Sequence, residues 1–152
     1  MNKKTLILCL LIPLLVGGLS GFLIKDSIAL YETLNKPLFY PPAWFFPIIW
    51  TILYLLMGLS SYFIIQSHSS NKEKALILYN FQLLVNFIWP LFFFNLQNYF
   101  LSLLILIILI ISVIYMLYTF KDINLKAFYL NLSYLLWLFF AFYLNFMIFL
   151  NN

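Results

Sequence analysis

The chain has 152 residues, of which 66% are hydrophobic and 8% charged, with a mean hydropathy of +1.05. A soluble domain of this length cannot hide so much apolar surface, so the solvent this sequence implies is a lipid bilayer. The net charge of +4 is too sparse and too scattered for a nucleic-acid footprint, and one cysteine with one histidine excludes a disulfide framework or a Cys/His metal cluster.

The eight lysines and four acidic residues fall in four short clusters: Lys3 to Lys4, Lys25 to Lys36, Lys72 to Lys74 and Lys121 to Lys126. The stretches between them are long enough to span, at about 20 apolar residues per helix. They predict transmembrane helices over 5–24, 43–66, 75–96, 98–119 and 128–150, in a single all-α integral membrane domain covering 1–152. Runs such as "LSLLILIILIISVIYML" do not alternate, which argues against a membrane β-barrel. The first apolar run reaches Ile24, too long for a cleaved signal peptide. Within it, Gly17 and Gly21 have the spacing that permits helix pairing, inside one bundle or between two copies of the chain as a homodimer.

Between the first and second spans lies "KPLFYPPAWFFPIIW", holding Pro37, Pro41, Pro42 and Pro47. Proline fixes φ and removes a backbone donor, so residues 36–42 are predicted to be stiff and non-helical. Pro47 falls in the first turns of the next helix, where its missing N–H costs little. The segment reads either as a lid over the bundle or as a rigid connector. Its lid candidates are Tyr31, Lys36, Pro37, Phe39, Pro41, Pro42 and Trp44.

Lysine sets the orientation. Five spans put Lys3, Lys4, Lys72, Lys74, Lys121 and Lys126 on one side and only Lys25 and Lys36 on the other, which predicts a cytoplasmic N-terminus and an external proline-rich loop. His68, in the polar loop "SHSSNKEK", reads as a solvated residue.

No ionisable residue lies inside the predicted spans, so the relays of proton-coupled transporters and the usual groups of covalent or metal-assisted catalysis are missing. The sequence asks for no metal and no cofactor. What remains is aromatic, amide and hydroxyl side chains, and these form stripes. At 100° per residue, Trp50, Leu53, Tyr54, Met57 and Ser61 share a face of the second span. Tyr79, Gln82, Asn86, Trp89 and Phe93 share one in the third, and Tyr134, Trp137, Ala141, Leu144 and Asn145 one in the fifth. Such stripes can simply pack helix on helix. Together they also suit an aromatic-walled cavity for a flat, largely apolar ligand, with Asn86 or Gln82 offering an amide donor.

These residues carry a resemblance. The chain resembles the TspO/translocator protein family, also called tryptophan-rich sensory proteins or peripheral benzodiazepine receptor homologues. The first span has P-x-x-x-G-G at Pro13, Gly17 and Gly18. The loop and second span carry Tyr31, Leu34, Lys36, Pro37, Phe39, Pro41, Pro42 and Trp44, then Trp50, Leu53, Tyr54, Met57 and Gly58. The third span has Gln82, Asn86, Trp89, Phe93 and Phe94, and the fifth Tyr134, Trp137, Phe140, Ala141, Leu144 and Asn145. The resemblance implies a bacterial member of the family, a five-helix bundle whose loop closes over a porphyrin site, protoporphyrin IX being the type ligand. It places Trp50 and Trp137 on opposite sides of that site, with Tyr54, Gln82, Asn86, Trp89, Phe93, Ala141 and Leu144 around them. Three functions stay open: a receptor or transport protein for porphyrins, a light- and oxygen-dependent porphyrin-degrading enzyme using Trp50 and Trp137, or a structural membrane partner without a small ligand.

Overall fold

A computed structural model describes residues 2–152, all helix and connection, with no strand among them. The elements are α1 (Lys3–Ile24), a short α2 (Ala29–Thr33), α3 (Phe45–Ile65), α4 (Lys72–Pro90) with a π-helical turn at Leu91–Asn95, α5 (Tyr99–Ile123) and α6 (Leu125–Asn151). Five segments are long and apolar enough to cross a membrane: Lys3–Ile24, Phe45–Ile65, Lys72–Asn95, Tyr99–Ile123 and Leu125–Asn151. Around the bundle, neighbours run α1, α3, α6, α5, α4 and back to α1, with α3 and α4 also in contact. One end of the bundle carries the 25–44 connection, the π-helical turn and the end of α6; this is called the loop end below.

The observed helices run a few residues past the predicted spans where lysines follow. Lys72, Lys74, Lys121 and Lys126 are all helical, because a helix satisfies its own backbone and need not stop where the hydrocarbon does. Asparagine does the cutting. Asn98 Oδ1 accepts from Leu101 N at 3.0 Å, and Asn124 Oδ1 from Lys126 N at 2.9 Å and Ala127 N at 3.1 Å, so each starts a helix as an N-cap. Between α4 and α5 the expected tight polar turn is preceded by a widening of the helix. Pro90 cannot donate within α4, and the chain continues in π pairing, with Leu96 N bonded to Leu91 O at 3.0 Å. Gln97 then reverses the chain at φ 50°.

The three stripes are the buried faces. Leu53, Tyr54, Met57 and Ser61 of α3, Tyr79, Gln82, Asn86 and Trp89 of α4, and Tyr134, Ala141, Leu144 and Asn145 of α6 all point inward. α1 meets α3 through glycine. A Cβ at Gly58 would stand 2.5 Å from Cys9 O and 2.8 Å from Leu10 Cα, so the two backbones touch there. Gly17 faces the Tyr54 ring, which would occupy the place of any side chain added at that position. That glycine therefore serves packing inside the bundle.

The proline-rich connection is non-helical from residue 35 to 44, as its prolines require. The short α2, which precedes it, was not legible in the residue pattern. Lys36 Nζ turns back onto α2, donating to the carbonyls of Tyr31 and Glu32, both at 2.8 Å, and to Leu34 O at 3.3 Å. Asn35 is clasped by the end of α6: Asn35 N donates to Asn152 Oδ1 at 3.0 Å, and Asn152 Nδ2 donates back to Asn35 O at 3.2 Å.

Candidate functional site

Near the loop end the helices part around a cavity of about 330 Å3. Its walls come from α1, α3, α4 with the π-helical turn, and α6, and its roof from Ile28, Tyr31, Ala43 and Phe46. No charged side chain lines it.

One wall is a run of tilted rings. Trp50 meets Tyr54 at 5.6 Å and 31° and Trp89 at 6.5 Å and 37°, and Trp89 continues to Phe93 at 5.7 Å and 35°. Trp137 stands edge-on to Trp50, with centroids 6.5 Å apart and planes at 89°. The two tryptophans therefore touch, rather than facing each other across the site as the resemblance implied. Their edge-to-face packing leaves no slot for a flat ligand between Trp50 and Trp137.

Buried amides hold the rings in place. Tyr54 OH donates to Asn86 Oδ1 at 2.6 Å, and Asn86 Nδ2 donates to Tyr134 OH at 2.7 Å, tying α3, α4 and α6 together. Asn145 Oδ1 accepts from both Trp89 Nε1 and Ser102 Oγ at 3.0 Å, and its Nδ2 donates to Tyr99 O at 3.0 Å. Asn86 is thus engaged at both ends, with one of the two Nδ2 hydrogens used by Tyr134. The cavity-lining polar atoms left without a partner are Ser20 Oγ and Trp137 Nε1.

Of the predicted ligand residues, Trp50, Tyr54, Asn86, Trp89, Phe93, Trp137, Ala141 and Leu144 line the cavity, and Gln82 does not. Gln82 lies one helical turn beyond Asn86, away from the loop end. There its Nε2 reaches only Met57 Sδ at 3.9 Å and its Oε1 is unpartnered. Of the lid candidates only Tyr31 lines the cavity. Lys36, Pro37, Phe39, Pro41, Pro42 and Trp44 lie outside it, and Phe39 and Trp44 are 71% and 67% exposed. Tyr31 packs edge-on against Phe46 at 5.3 Å, and its hydroxyl donates to Pro41 O at 3.2 Å. Burial, with Glu32 and Tyr40 adding to it, raises the Tyr31 phenol above its ordinary value, so this donor keeps its proton. Sequence reasoning missed the contribution of α1 (Leu14, Gly17, Gly18, Ser20, Gly21, Ile24), whose small and aliphatic residues carry no chemical signal, and did not assign Phe46 or Ile148.

Five apolar helices with a charge-free aromatic cavity between them define a polytopic integral membrane protein. The sequence pattern of the TspO/MBR family matches residues 9–150, and the chain belongs to that family. It is 36% identical to the "Tryptophan-rich protein TspO" of Archaeoglobus fulgidus over 100% of this chain and 99% of the relative. The protein of the same name from Chlorobaculum tepidum is 35% identical, over 97% of each chain. The "Translocator protein" of Sus scrofa is 32% identical over 91% of this chain and 86% of its own.

Proposed function

We propose that the protein is a membrane receptor for flat, largely apolar tetrapyrroles of the protoporphyrin IX type, bound on the aromatic wall of the loop-end cavity. The observation that carries this reading is the run of four rings, Tyr54, Trp50, Trp89 and Phe93, tilted 31–37° at each step. A macrocycle laid on such a wall gains area burial, and stacking adds roughly 0.5–1.5 kcal/mol per aromatic pair. The cavity volume falls at the lower end of small-molecule sites, about 300–1,000 Å3. A large ring is accommodated because part of it can project from the open flank. With no charge in the lining, any carboxylates of the ligand stay at the mouth. Ile28, Tyr31, Ala43 and Phe46 act as the roof, with Tyr31 tied to the proline-rich connection by its bond to Pro41 O. In a bacterial cytoplasmic membrane, the lysine distribution supports an N-terminus on the inside.

The test is a titration of protoporphyrin IX into the protein in lipid nanodiscs, read by the shift of the Soret band. Saturable binding, weakened a few-fold by Trp50→Phe and by Trp137→Phe but not by Trp44→Phe, supports the site. Absence of saturable binding, or equal effects of all three substitutions, refutes it.

A second reading draws on the ring contacts of Trp50 with both Trp89 and Trp137, each at 6.5 Å. Such a cluster can supply an electron to photoexcited porphyrin, so the same site would degrade its ligand in light and oxygen. Illumination would then bleach the Soret band with the wild-type protein and spare it with Trp50→Phe, while binding stays within about tenfold. A band that only shifts leaves the receptor.

A further inference from the structure

We propose that the ligand reaches the cavity sideways from the bilayer, through a mouth between α1 and α3 whose sill is Gly18 and Gly21, and meets the Ser20 hydroxyl just inside. This rests on the reading that the cavity binds a ligand, and it restricts that ligand to molecules already dissolved in the membrane.

The argument begins with exposure. Four of the residues lining the cavity are exposed: Gly18 and Gly21 on α1, Pro47 and Thr51 on α3. All four lie on the outer surface of two membrane-spanning helices, near the loop end. The roof is the better-covered side, because Tyr31 is buried and Ile28, Ala43 and Phe46 are half-buried. The glycines explain the shape of the opening. α1 and α3 are in backbone contact at Gly58 and Cys9, and Gly17 still packs on Tyr54. One and four residues further along, a Cβ at Gly18 or Gly21 would meet nothing within 4 Å. The helices therefore touch deep in the membrane and part toward the loop end, leaving a gap over a sill without side chains. On the opposite rim Thr51 Oγ1 donates to Pro47 O at 2.7 Å, so its polarity is turned back on its own helix.

Ser20 is the second, independent observation. In a membrane helix a serine hydroxyl ordinarily returns to a carbonyl of the preceding turn. Ser61, Ser112 and Ser133 do so here, donating at 2.8–3.0 Å to the carbonyl three residues back. Ser20 is 3% exposed, lines the cavity, and its Oγ has no partner. A buried hydroxyl left unpaired in an apolar site favours a ligand that pairs with it. The ligand class is therefore a flat, bilayer-soluble molecule with a hydrogen-bonding heteroatom on its leading edge.

The test uses Gly18→Leu with Gly21→Leu in nanodiscs, with protoporphyrin IX delivered in lipid vesicles and binding followed by stopped-flow absorbance at the Soret band. Leucine at the sill fills open space and blocks the gap, so association and dissociation rate constants should fall together by at least about tenfold. Thr51→Trp narrows the same gap from the α3 rim and should also slow both; it serves if the double variant does not fold. Ser20→Ala should raise the dissociation rate a few-fold and leave association unaltered. In the wild type the observed rate should follow the mole fraction of porphyrin in lipid, not its bulk concentration. Unaltered rates in the folded rim variants, or a rise in dissociation alone, would overturn the lateral mouth. No binding by the wild-type protein would instead overturn the receptor reading beneath it.

Discussion

Asn86→Leu tests whether the buried amide is what holds the aromatic wall together. The substitution keeps the volume close but removes the acceptor of Tyr54 OH and the donor to Tyr134 OH, two bonds of 2.6 and 2.7 Å. Two scales bear on its cost. Interhelical hydrogen bonds in a bilayer average about 0.6 kcal/mol each, with a maximum near about 1.7. Leaving a buried polar group unpaired costs about 1–3 kcal/mol. The larger scale applies to Tyr134, which is 0% exposed and has no other hydrogen-bond partner. The smaller applies to Tyr54, whose ring borders the cavity, so its hydroxyl can turn toward a ligand or a water. The sum is a loss of about 2 kcal/mol, measurable by reversible SDS unfolding in bicelles. A double-mutant cycle with Tyr54→Phe should show a coupling of about 0.6 kcal/mol or more. Strictly additive losses, or a total below about 0.5 kcal/mol, would refute the view that Asn86 braces three helices.

Gly58→Ala should destabilise by about 2 kcal/mol, since its Cβ meets backbone of α1 at 2.5 Å, whereas Gly18→Ala should be neutral or stabilising by thermal unfolding. Pro41→Gly with Pro42→Gly should raise the porphyrin dissociation rate while helix content by circular dichroism stays fixed, because closing a freer roof costs more chain entropy. Cysteine placed at Ser69 should react with impermeant maleimide only from the cytoplasmic side and cysteine at Phe39 only from outside; the reverse would undo the orientation drawn from lysine.

The sequence made the helices legible because lysine clusters punctuate an otherwise apolar chain, and the stripes on α3, α4 and α6 read correctly as buried faces. Angle alone gave no depth, however. Gln82 shares its face with Asn86 but sits four residues, about 6 Å, along the axis, which is enough to leave the cavity. The stripe on α1 was unreadable for the opposite reason: Gly17, Gly18 and Gly21 matter through the side chains they lack. The roof was legible as a rigid segment but not in its contacts. Its prolines set the path of the chain, while the groups that reach the cavity are Tyr31, Ala43 and Phe46. That Asn86 bonds two phenols at once depended on rotamers of three helices, which no spacing rule contains.

The clasp between Asn35 and Asn152 joins groups 117 residues apart, and this has a consequence for biosynthesis. Helices insert as the ribosome delivers them, and α6 comes last of the five. Until it arrives the cavity lacks the wall formed by Trp137, Ala141, Leu144 and Asn145, Trp89 Nε1 has no acceptor, and residue 35 has nothing to hold it. The nascent chain thus carries four inserted helices and a 25–44 connection not yet tied to α6, and one late docking step completes wall and roof together. Ligand captured during synthesis would have to wait for that step.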